Sequence, residues 1–420
     1  MDNYSLDELN DSFFSSIKRM KFAESVEFSQ PLTKEEKMTE NFNRFAWDFL
    51  LKVSENPFEK EKNYFISPLS MGIDWAMLEN GAKGETFTQI NKALRMDNYS
   101  LDEVNDYFFS SIKRMKSAES VEFNLANALF YNTAKNVELN HKFAQLLNDK
   151  YSVWTNGGAY GPEMTAQINA WCSKQTKGKI KNIVDKLDRE KGLFDLLNAV
   201  YLKVNWSKSF EDSYFDYFTT AQFEKEYAEY IHDTRKLKYN ENDKFQYAEV
   251  PLLGGKYVVF FILPKIGETI PQTIAYFKTY SNLRNNTNNR LVNIYIPKFK
   301  IEYELMNVIP VLKSMGIENA FDSTKADLYG CFSSEMKIPD DENPTVNSVV
   351  HKTTFEVTKT GVEVSAATRV EVWSISLSAS PEVEEQPIIM KLDRPFIYGI
   401  KETETGMVLF SGCMNNPTKE

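Results

Sequence analysis

Residues 361–376 have the alternating pattern of a β-strand, but the chain that follows them has the composition of an exposed loop. From Val362 to Ser374 every second side chain is small or apolar, and most of the intervening ones are polar. This period of two is typical of a strand with one buried face. Residues 376–387 (Ser-Leu-Ser-Ala-Ser-Pro-Glu-Val-Glu-Glu-Gln-Pro) instead suit a surface stretch. The pattern predicts a segment that is a loop in one state and a strand in another.

The start of this segment resembles the reactive-centre hinge of the serpins. The hinge consists of Gly361, Val362, Glu363, Val364, Ser365, Ala366, Ala367 and Thr368, similar to the family pattern Gly-Thr-Glu-Ala-Ala-Ala-Ala-Thr. His351-Lys352 precedes its glycine by ten residues, as in the family. Further matching motifs occur in family order at 63–70, 81–86, 126–130, 168–171, 176–180, 198–203, 296–302, 326–327 and 394–396. So many motifs in one order make the resemblance specific.

The resemblance implies an α+β fold with three β-sheets, about nine helices and an exposed reactive-centre loop at about residues 359–390. It places one serpin domain at residues 38–420. It also implies suicide inhibition, in which a serine protease attacks a bait residue, forms an acyl-enzyme and is trapped when the loop inserts into the main sheet. No inward position of the hinge is charged and no proline lies between Gly361 and Ser380, which favours insertion. Val364 departs from the family's alanine. The alternative is a non-inhibitory binding or interaction protein on the same scaffold.

The bait bond is left open between three positions. The family's commonest spacing from Gly361 gives Ile375-Ser376, whereas counting backward from Pro395 disagrees, because the second half of the loop is longer than usual. Trp373-Ser374 and Leu377-Ser378 are therefore alternatives. All three bonds follow an apolar residue, which indicates chymotrypsin-like or elastase-like proteases as partners.

The resemblance also assigns residues to the main sheet. Ser67, Ser70, Asn198 and His351 match the shutter, a polar cluster beneath its central strands. Trp206 and Lys298 match the breach, the end at which insertion starts. The family usually has a glutamate two residues before the hinge glycine, whereas this chain has Lys359. We therefore expect two cations, Lys298 and Lys359, to face each other instead of forming a pair, and we expect a monomer with a tendency to polymerise through its opened sheet.

Lys113, Arg114 and Lys116 cluster on a helical pattern that binds sulfated polysaccharide in some serpins. The alternative is an ordinary solvated helix face.

Enzyme, cofactor and metal signatures are missing from the sequence. The chain has only three histidines, and it contains no His-Glu-x-x-His, Gly-x-Ser-x-Gly or Walker motif. Its three cysteines are widely spaced and predict free thiols rather than a disulfide framework or a zinc site. We therefore predict a protease inhibitor and not an enzyme, with no cofactor.

Charge and hydropathy limit the partners and the location. The net charge of −10 argues against a dedicated nucleic-acid binder. The longest apolar run, Val258 to Leu263, is too short to cross a membrane. The acidic amino terminus does not resemble a signal peptide. We therefore expect a cytoplasmic protein, or one that is exported by an unconventional route.

Residues 1–28 and 96–123 are nearly the same sequence. They differ only at Leu9/Val104, Ser12/Tyr107 and Phe22/Ser117. The second copy has the helical pattern Leu101, Val104, Phe108, Ile112 and Met115, whereas the first has no place in the fold, whose first helix would begin near Asn41. The 1–37 extension is interpreted as a duplicated exon or a gene-model artefact with Met38 as the true start. The alternative is a regulatory segment that competes for the site of the second copy.

Overall fold

The computed structural model describes residues 31–116, 122–187, 193–279, 287–305, 308–334, 343–362 and 386–419. Met38–Glu420 forms one compact unit. The first copy of the duplicated segment lies outside the described residues. The second copy supplies a helix, Leu101–Lys116, whose Val104, Phe108, Ile112 and Met115 are buried as predicted.

Eight α-helices lie within the described residues. They are α1 (Lys34–Glu55), α2 (Pro68–Glu79), α3 (Gly84–Ala93), α4 (Leu101–Lys116), α5 (His141–Tyr151), α6 (Pro162–Gln175), α7 (Ile270–Thr279) and α8 (Val308–Ser314). Helix α1 begins before the predicted Asn41, because Thr33 and Glu36 form a capping box: the Thr33 N–H donates to Glu36 Oε2 (2.9 Å) and the Glu36 N–H to Thr33 Oγ1 (3.2 Å).

Fifteen strands lie in the same residues. They are β1 (Tyr64–Ile66), β2 (Glu122–Asn132), β3 (Trp154–Gly158), β4 (Phe194–Asn205), β5 (Asp212–Thr219), β6 (Lys225–Glu241), β7 (Phe245–Pro251), β8 (Tyr257–Pro264), β9 (Asn288–Pro297), β10 (Phe299–Leu305), β11 (Val346–Val357), β12 (Gly361–Val362), β13 (Ile388–Lys391), β14 (Phe396–Glu402) and β15 (Val408–Met414). The mixture of helices and sheets confirms the predicted α+β class.

Hydrogen bonds join these strands into two sheets. One has the order β10-β11-β4-β2-β3, with β12 paired to β4. The other has nine strands in the order β1-β15-β14-β8-β7-β6-β9-β13, with β5 paired to β6. The expected count of three sheets differs because the long β6 pairs with β5 near its start, with β9 along most of its length and with β7 at its end. Two of the three expected sheets are therefore continuous through one strand.

The core between the two sheets is rich in aromatic rings. Phe65 of β1 contacts Phe355 of β11 at 4.7 Å and Tyr398 of β14 at 5.4 Å between ring centroids. Helix α2 is buried along its whole length, which its sequence permits because Ser70, Asp74 and Glu79 are its only polar side chains. A second apolar cluster lies under α6, where Ile168 and Cys172 pack with Phe130 and Leu197 of the six-stranded sheet. This sheet is therefore covered on both faces.

Cys172, Cys331 and Cys413 are buried and free, as predicted. Burial raises the pKa of the Cys172 and Cys413 thiols to about 12. No described helix is both long and apolar enough to span a membrane.

Candidate functional site at the centre of the six-stranded sheet

The two central strands of the six-stranded sheet run parallel to each other. We define the seam as the ladder in which β11 pairs with β4, from Val346 opposite Phe194 to Thr353 opposite Val200. Their outer neighbours, β10 and β2, pair antiparallel with them. Parallel pairs are slightly less stable per residue than antiparallel pairs. The seam is therefore the weakest type of ladder in the middle of the sheet.

The hinge begins inside the sheet, just beyond the end of the seam. The register of β11 with β4 stops at Thr353, although β11 continues to Val357 and β4 to Asn205. There the chain turns back, and β12 pairs antiparallel with β4, Gly361 opposite Asn205 and Val362 opposite Val204. The first two hinge residues thus already extend the sheet on the edge of β4 that faces β11.

Trp206 and Phe210 hold the turn before the hinge through hydrogen bonds to its backbone carbonyls. The indole Nε1–H of Trp206 donates to the Thr358 carbonyl (2.8 Å), and its backbone N–H donates to the Thr360 carbonyl (3.1 Å). The Phe210 N–H donates to the Lys359 carbonyl (2.8 Å). Trp206 therefore holds the turn from which the hinge leaves for β4, and its role in the breach stays a prediction.

The expected clash between Lys298 and Lys359 is wrong. Lys298 Nζ pairs with Glu229 Oε2 at 2.7 Å, and Lys359 Nζ donates to the carbonyl of Glu211 at 2.8 Å. The Lys298 hydrogen bond, with a smaller contribution from the charge of Lys359, lowers the pKa of the Glu229 carboxyl. A glutamate from a distant strand thus balances both cations, and the sequence next to the hinge carries no sign of it.

The shutter residues Ser67, Ser70 and His351 meet at the amino terminus of α2. Ser67 caps the helix, its Oγ accepting from the Ser70 N–H (3.3 Å) and donating to the Leu409 carbonyl (3.0 Å). The Ser67 N–H donates to His351 Nε2 at 2.9 Å, so the neutral imidazole carries its proton on Nδ1. This bond ties the seam strand β11 to α2. Asn198 is opposite His351 in the ladder, but its side chain lies outside the described residues.

Burial lowers the pKa of His351 to about 4, from about 6.5 in the unfolded chain. The folded protein therefore binds this proton more weakly than the unfolded chain does. The stabilisation is fully present above about pH 6.5 and is lost as the pH falls toward 4.

We expect acidification from pH 7.5 to pH 5 to destabilise the native state more than it destabilises a His351→Gln variant, by about 2 kcal/mol. Glutamine keeps an acceptor for the Ser67 N–H but does not titrate. The measurement is the urea midpoint of both proteins at each pH. The buried carboxyls of Asp74 and Asp195, whose raised pKa values act in the opposite direction, are common to both proteins and cancel in the difference. Equal pH slopes would contradict this assignment.

Two further side chains of β11 anchor this strand, one across the seam and one to its other neighbours, and their partners were not predicted from the sequence. Ser348 Oγ on β11 donates to Asp195 Oδ1 on β4 at 2.9 Å, directly across the ladder. Lys352 Nζ donates to the carbonyl of Asn182 (2.7 Å) in the segment after α6 and pairs with Glu304 of β10 (2.9 Å). The family motif His351-Lys352 could have identified Lys352 as a residue of the site. Nothing in the sequence links Ser348 to Asp195.

The cationic cluster on α4 is smaller than predicted. The Arg114 side chain is turned toward Glu402, which is buried, with Nε at 3.4 Å from Oε1. Lys113 and Lys116 are exposed. The helix thus presents two exposed cations at this point rather than three.

The remaining predicted site residues lie outside the described residues. These are hinge positions Glu363, Val364, Ser365, Ala366, Ala367 and Thr368, and the candidate bait residues Trp373, Ser374, Ile375, Ser376, Leu377 and Ser378. Their roles stay predictions.

Comparison with known proteins agrees with the fold and with the motifs. The family described as serpin (serine protease inhibitor) matches residues 40–417. An uncharacterized serpin-like protein of Thermococcus kodakarensis is 31% identical over 397 residues, 89% of this chain and 84% of that protein. The leukocyte elastase inhibitor of Xenopus laevis is 28% identical over 399 residues, 91% of this chain and all of that protein.

Among solved structures, the thermophilic serpin tengpin in its native state superposes with a TM-score of 0.79. It is 26% identical in sequence, and the alignment covers 92% of this chain and 95% of tengpin. From the match over most of its length, this chain belongs to the serpin family.

Proposed function

We propose that this chain is a suicide inhibitor of serine proteases with chymotrypsin-like or elastase-like specificity. The family is generally one of protease inhibitors rather than enzymes, although some members are not inhibitors. The observation that carries the proposal is the pairing of β12 with β4. The first two hinge residues already pair with β4, just beyond the point where the β11–β4 ladder ends. A loop that starts in the sheet has a defined route for the rest of its insertion.

The geometry of the seam gives insertion a driving force. Because β11 and β4 are parallel and β12 is antiparallel to β4, an inserted loop would be antiparallel to both neighbours. One parallel ladder would thus be replaced by two antiparallel ladders, with a net gain of about a dozen hydrogen bonds at about 1 kcal/mol each. An energy on the order of 10 kcal/mol is large enough to distort a tethered protease.

The length of the loop fits transport of the protease along the sheet. Residues 362–375 as an extended strand span about 46 Å at ~3.3 Å per residue. This is comparable with a diameter of about 55 Å for a compact chain of this length. The protease, held by its acyl bond, would be carried from the breach to the opposite end of the sheet.

The apolar bait candidates support the specificity. Ile375, Trp373 and Leu377 suit apolar specificity pockets, and an apolar pocket does not accept a charged bait residue. A relative from Xenopus laevis is named leukocyte elastase inhibitor, which agrees with this choice.

The test is incubation of the purified protein with chymotrypsin and with pancreatic elastase, with trypsin as the comparison. We expect an SDS-stable complex with at least one of the first two proteases and little or none with trypsin. Clean cleavage without a complex would instead support the alternative, a non-inhibitory binding or interaction protein. Intact-mass analysis of the fragment released from the complex identifies the bait bond.

We also propose that the serpin domain occupies residues 38–420, and that residues 1–37 are an extension whose described part includes the first turn and capping box of α1. Support comes from the compact unit that begins at Met38 and from the matched range 40–417.

A further inference from the structure

A groove between helices lies apart from the site described above. It is lined by residues of α1, α3 and α7 and by the turn after α8, and its volume is about 480 Å³. The charged lining residues are Asp48, Lys52, Lys92, Arg95 and Lys278. Pockets of this size accommodate small ligands.

The groove has more cations than carboxylates. Both carboxylate oxygens of Asp48 already pair with cations: Arg95 Nη2 lies 2.6 Å from Oδ2, and Lys278 pairs with Oδ1. Lys52 pairs with Glu55 at the half-exposed rim (2.9 Å), an arrangement that contributes little. Lys92 is exposed, and its ammonium group has no hydrogen bond or ion pair with any residue that the structure describes. Four cations thus share two carboxylates, in a chain whose net charge is −10.

Arg95 adopts a backbone conformation that is unfavourable for arginine, which indicates that its side chain has a role in the groove. Helix α3 ends in a Schellman motif, with the Met96 N–H donating to the Asn91 carbonyl and the Arg95 N–H to the Lys92 carbonyl. Arg95 therefore occupies the left-handed position, with φ of 62°, that glycine fills at least cost. The arginine adopts this conformation with its guanidinium directed into the groove against Asp48.

We propose that this groove binds a compact ligand that carries two or more phosphate or sulfate groups. The Arg95 guanidinium uses Nε and Nη2 on Asp48 and retains further N–H donors for an oxyanion. The Lys92 ammonium group supplies a charge that no described carboxylate neutralises, and Lys52 and Lys278 supply ammonium groups on the neighbouring helices. Asp48 holds Arg95 and Lys278 in place on the floor of the groove.

The volume favours a small polyanion over a long polymer. A sulfated polysaccharide could place only a short part of its chain here, whereas Lys113 and Lys116 of α4 are a separate exposed pair. The sequence alone did not predict this groove, because its cations come from three separate segments with no common motif: α1, the end of α3 and α7.

The direct test is calorimetric titration of the full-length protein with sodium tripolyphosphate at low ionic strength. We expect saturable binding at one site and an upward shift of the unfolding midpoint with ligand concentration. The Lys92→Gln variant should bind about tenfold more weakly, because one charge-assisted contact is lost. The matched control, Lys236→Gln, removes the same charge from an exposed position on β6 outside the groove and should bind within about twofold of wild type.

Arg95→Gly separates binding from folding. Glycine suits the left-handed backbone, so the unliganded variant should unfold near the wild-type midpoint, while its affinity for tripolyphosphate falls by about tenfold or more. A sulfated hexasaccharide provides the second arm. If the hexasaccharide competes with tripolyphosphate, its sulfate groups bind in the groove. If its binding is lost in Lys113→Gln but not in Lys92→Gln, the polysaccharide binds on α4 instead.

The absence of saturable tripolyphosphate binding to the wild type would overturn the proposal. So would equal losses of affinity in Lys92→Gln and Lys236→Gln, which would show a nonspecific charge effect. These outcomes are independent of the protease-complex assay, since neither needs the loop to insert.

Discussion

Replacing Val362 with arginine is expected to abolish the covalent trap while leaving cleavage by the protease intact. Val362 is opposite Val204 in the β12–β4 ladder. On the same strand, Phe194 and Leu196 are buried in the main core, and the two-residue period of a strand predicts that an inserted Val362 would enter on that face. An arginine at this hinge position would bring an unpaired charge into the core, at a cost of several kcal/mol. Insertion would stall, and the acyl-enzyme would hydrolyse.

The measurement is the yield of SDS-stable complex per molecule cleaved, which should fall by about tenfold or more. The matched control is Glu363→Arg, which introduces arginine at the neighbouring position on the other face of the inserted strand. It should retain most of the trapping activity. Undiminished complex in Val362→Arg would show that the hinge does not enter the sheet.

The second large effect is a change of target. Ile375→Arg is expected to turn the protein into an inhibitor of trypsin, because the specificity pocket of trypsin carries a carboxylate that pairs with arginine. The change should also reduce inhibition of chymotrypsin and elastase by at least about tenfold, because their pockets do not accommodate the charge. The measurement is the association rate constant with each protease.

Trp373→Arg and Leu377→Arg are the matched comparisons, with the same new side chain two residues to either side. If trypsin inhibition appears only in one of these, the bait bond is Trp373-Ser374 or Leu377-Ser378 and the register at Ile375 is wrong.

Motif order was enough to predict the α+β serpin fold, because the motifs are short local sequences at fixed places in that fold. The helix expected to begin near Asn41 is present as α1, with Phe42, Phe45 and Phe49 buried at helical spacing, but the capping box at Thr33 and Glu36 places its start at Lys34. The sheet count could not be predicted, because it depends on which strands pair with the long β6 along its length.

The details of the candidate site depended on long-range pairing. Ser67 and His351 are joined by a hydrogen bond, and Trp206 contacts the turn before the hinge, but their shutter and breach roles stay predictions. The error over Lys359 arose because its electrostatic partner Glu229 is on β6, far away in sequence. The Ser348–Asp195 bond was missed for the same reason. Residue type indicates what a side chain can bind, but only the fold shows which partner is near.

The two residue pairs between β12 and β4 also set the register in which the rest of the loop would pair with β4. With Val362 opposite Val204, a continued antiparallel register without a bulge sets Thr368 opposite Asn198 and Val372 opposite Phe194. Phe194 is the first residue of β4, so the template ends there. All three candidate bait bonds lie beyond Val372, the nearest being Trp373-Ser374. The residue that carries the acyl bond would therefore emerge past the far edge of the strand, and the captured protease would press against the end of the sheet rather than its face.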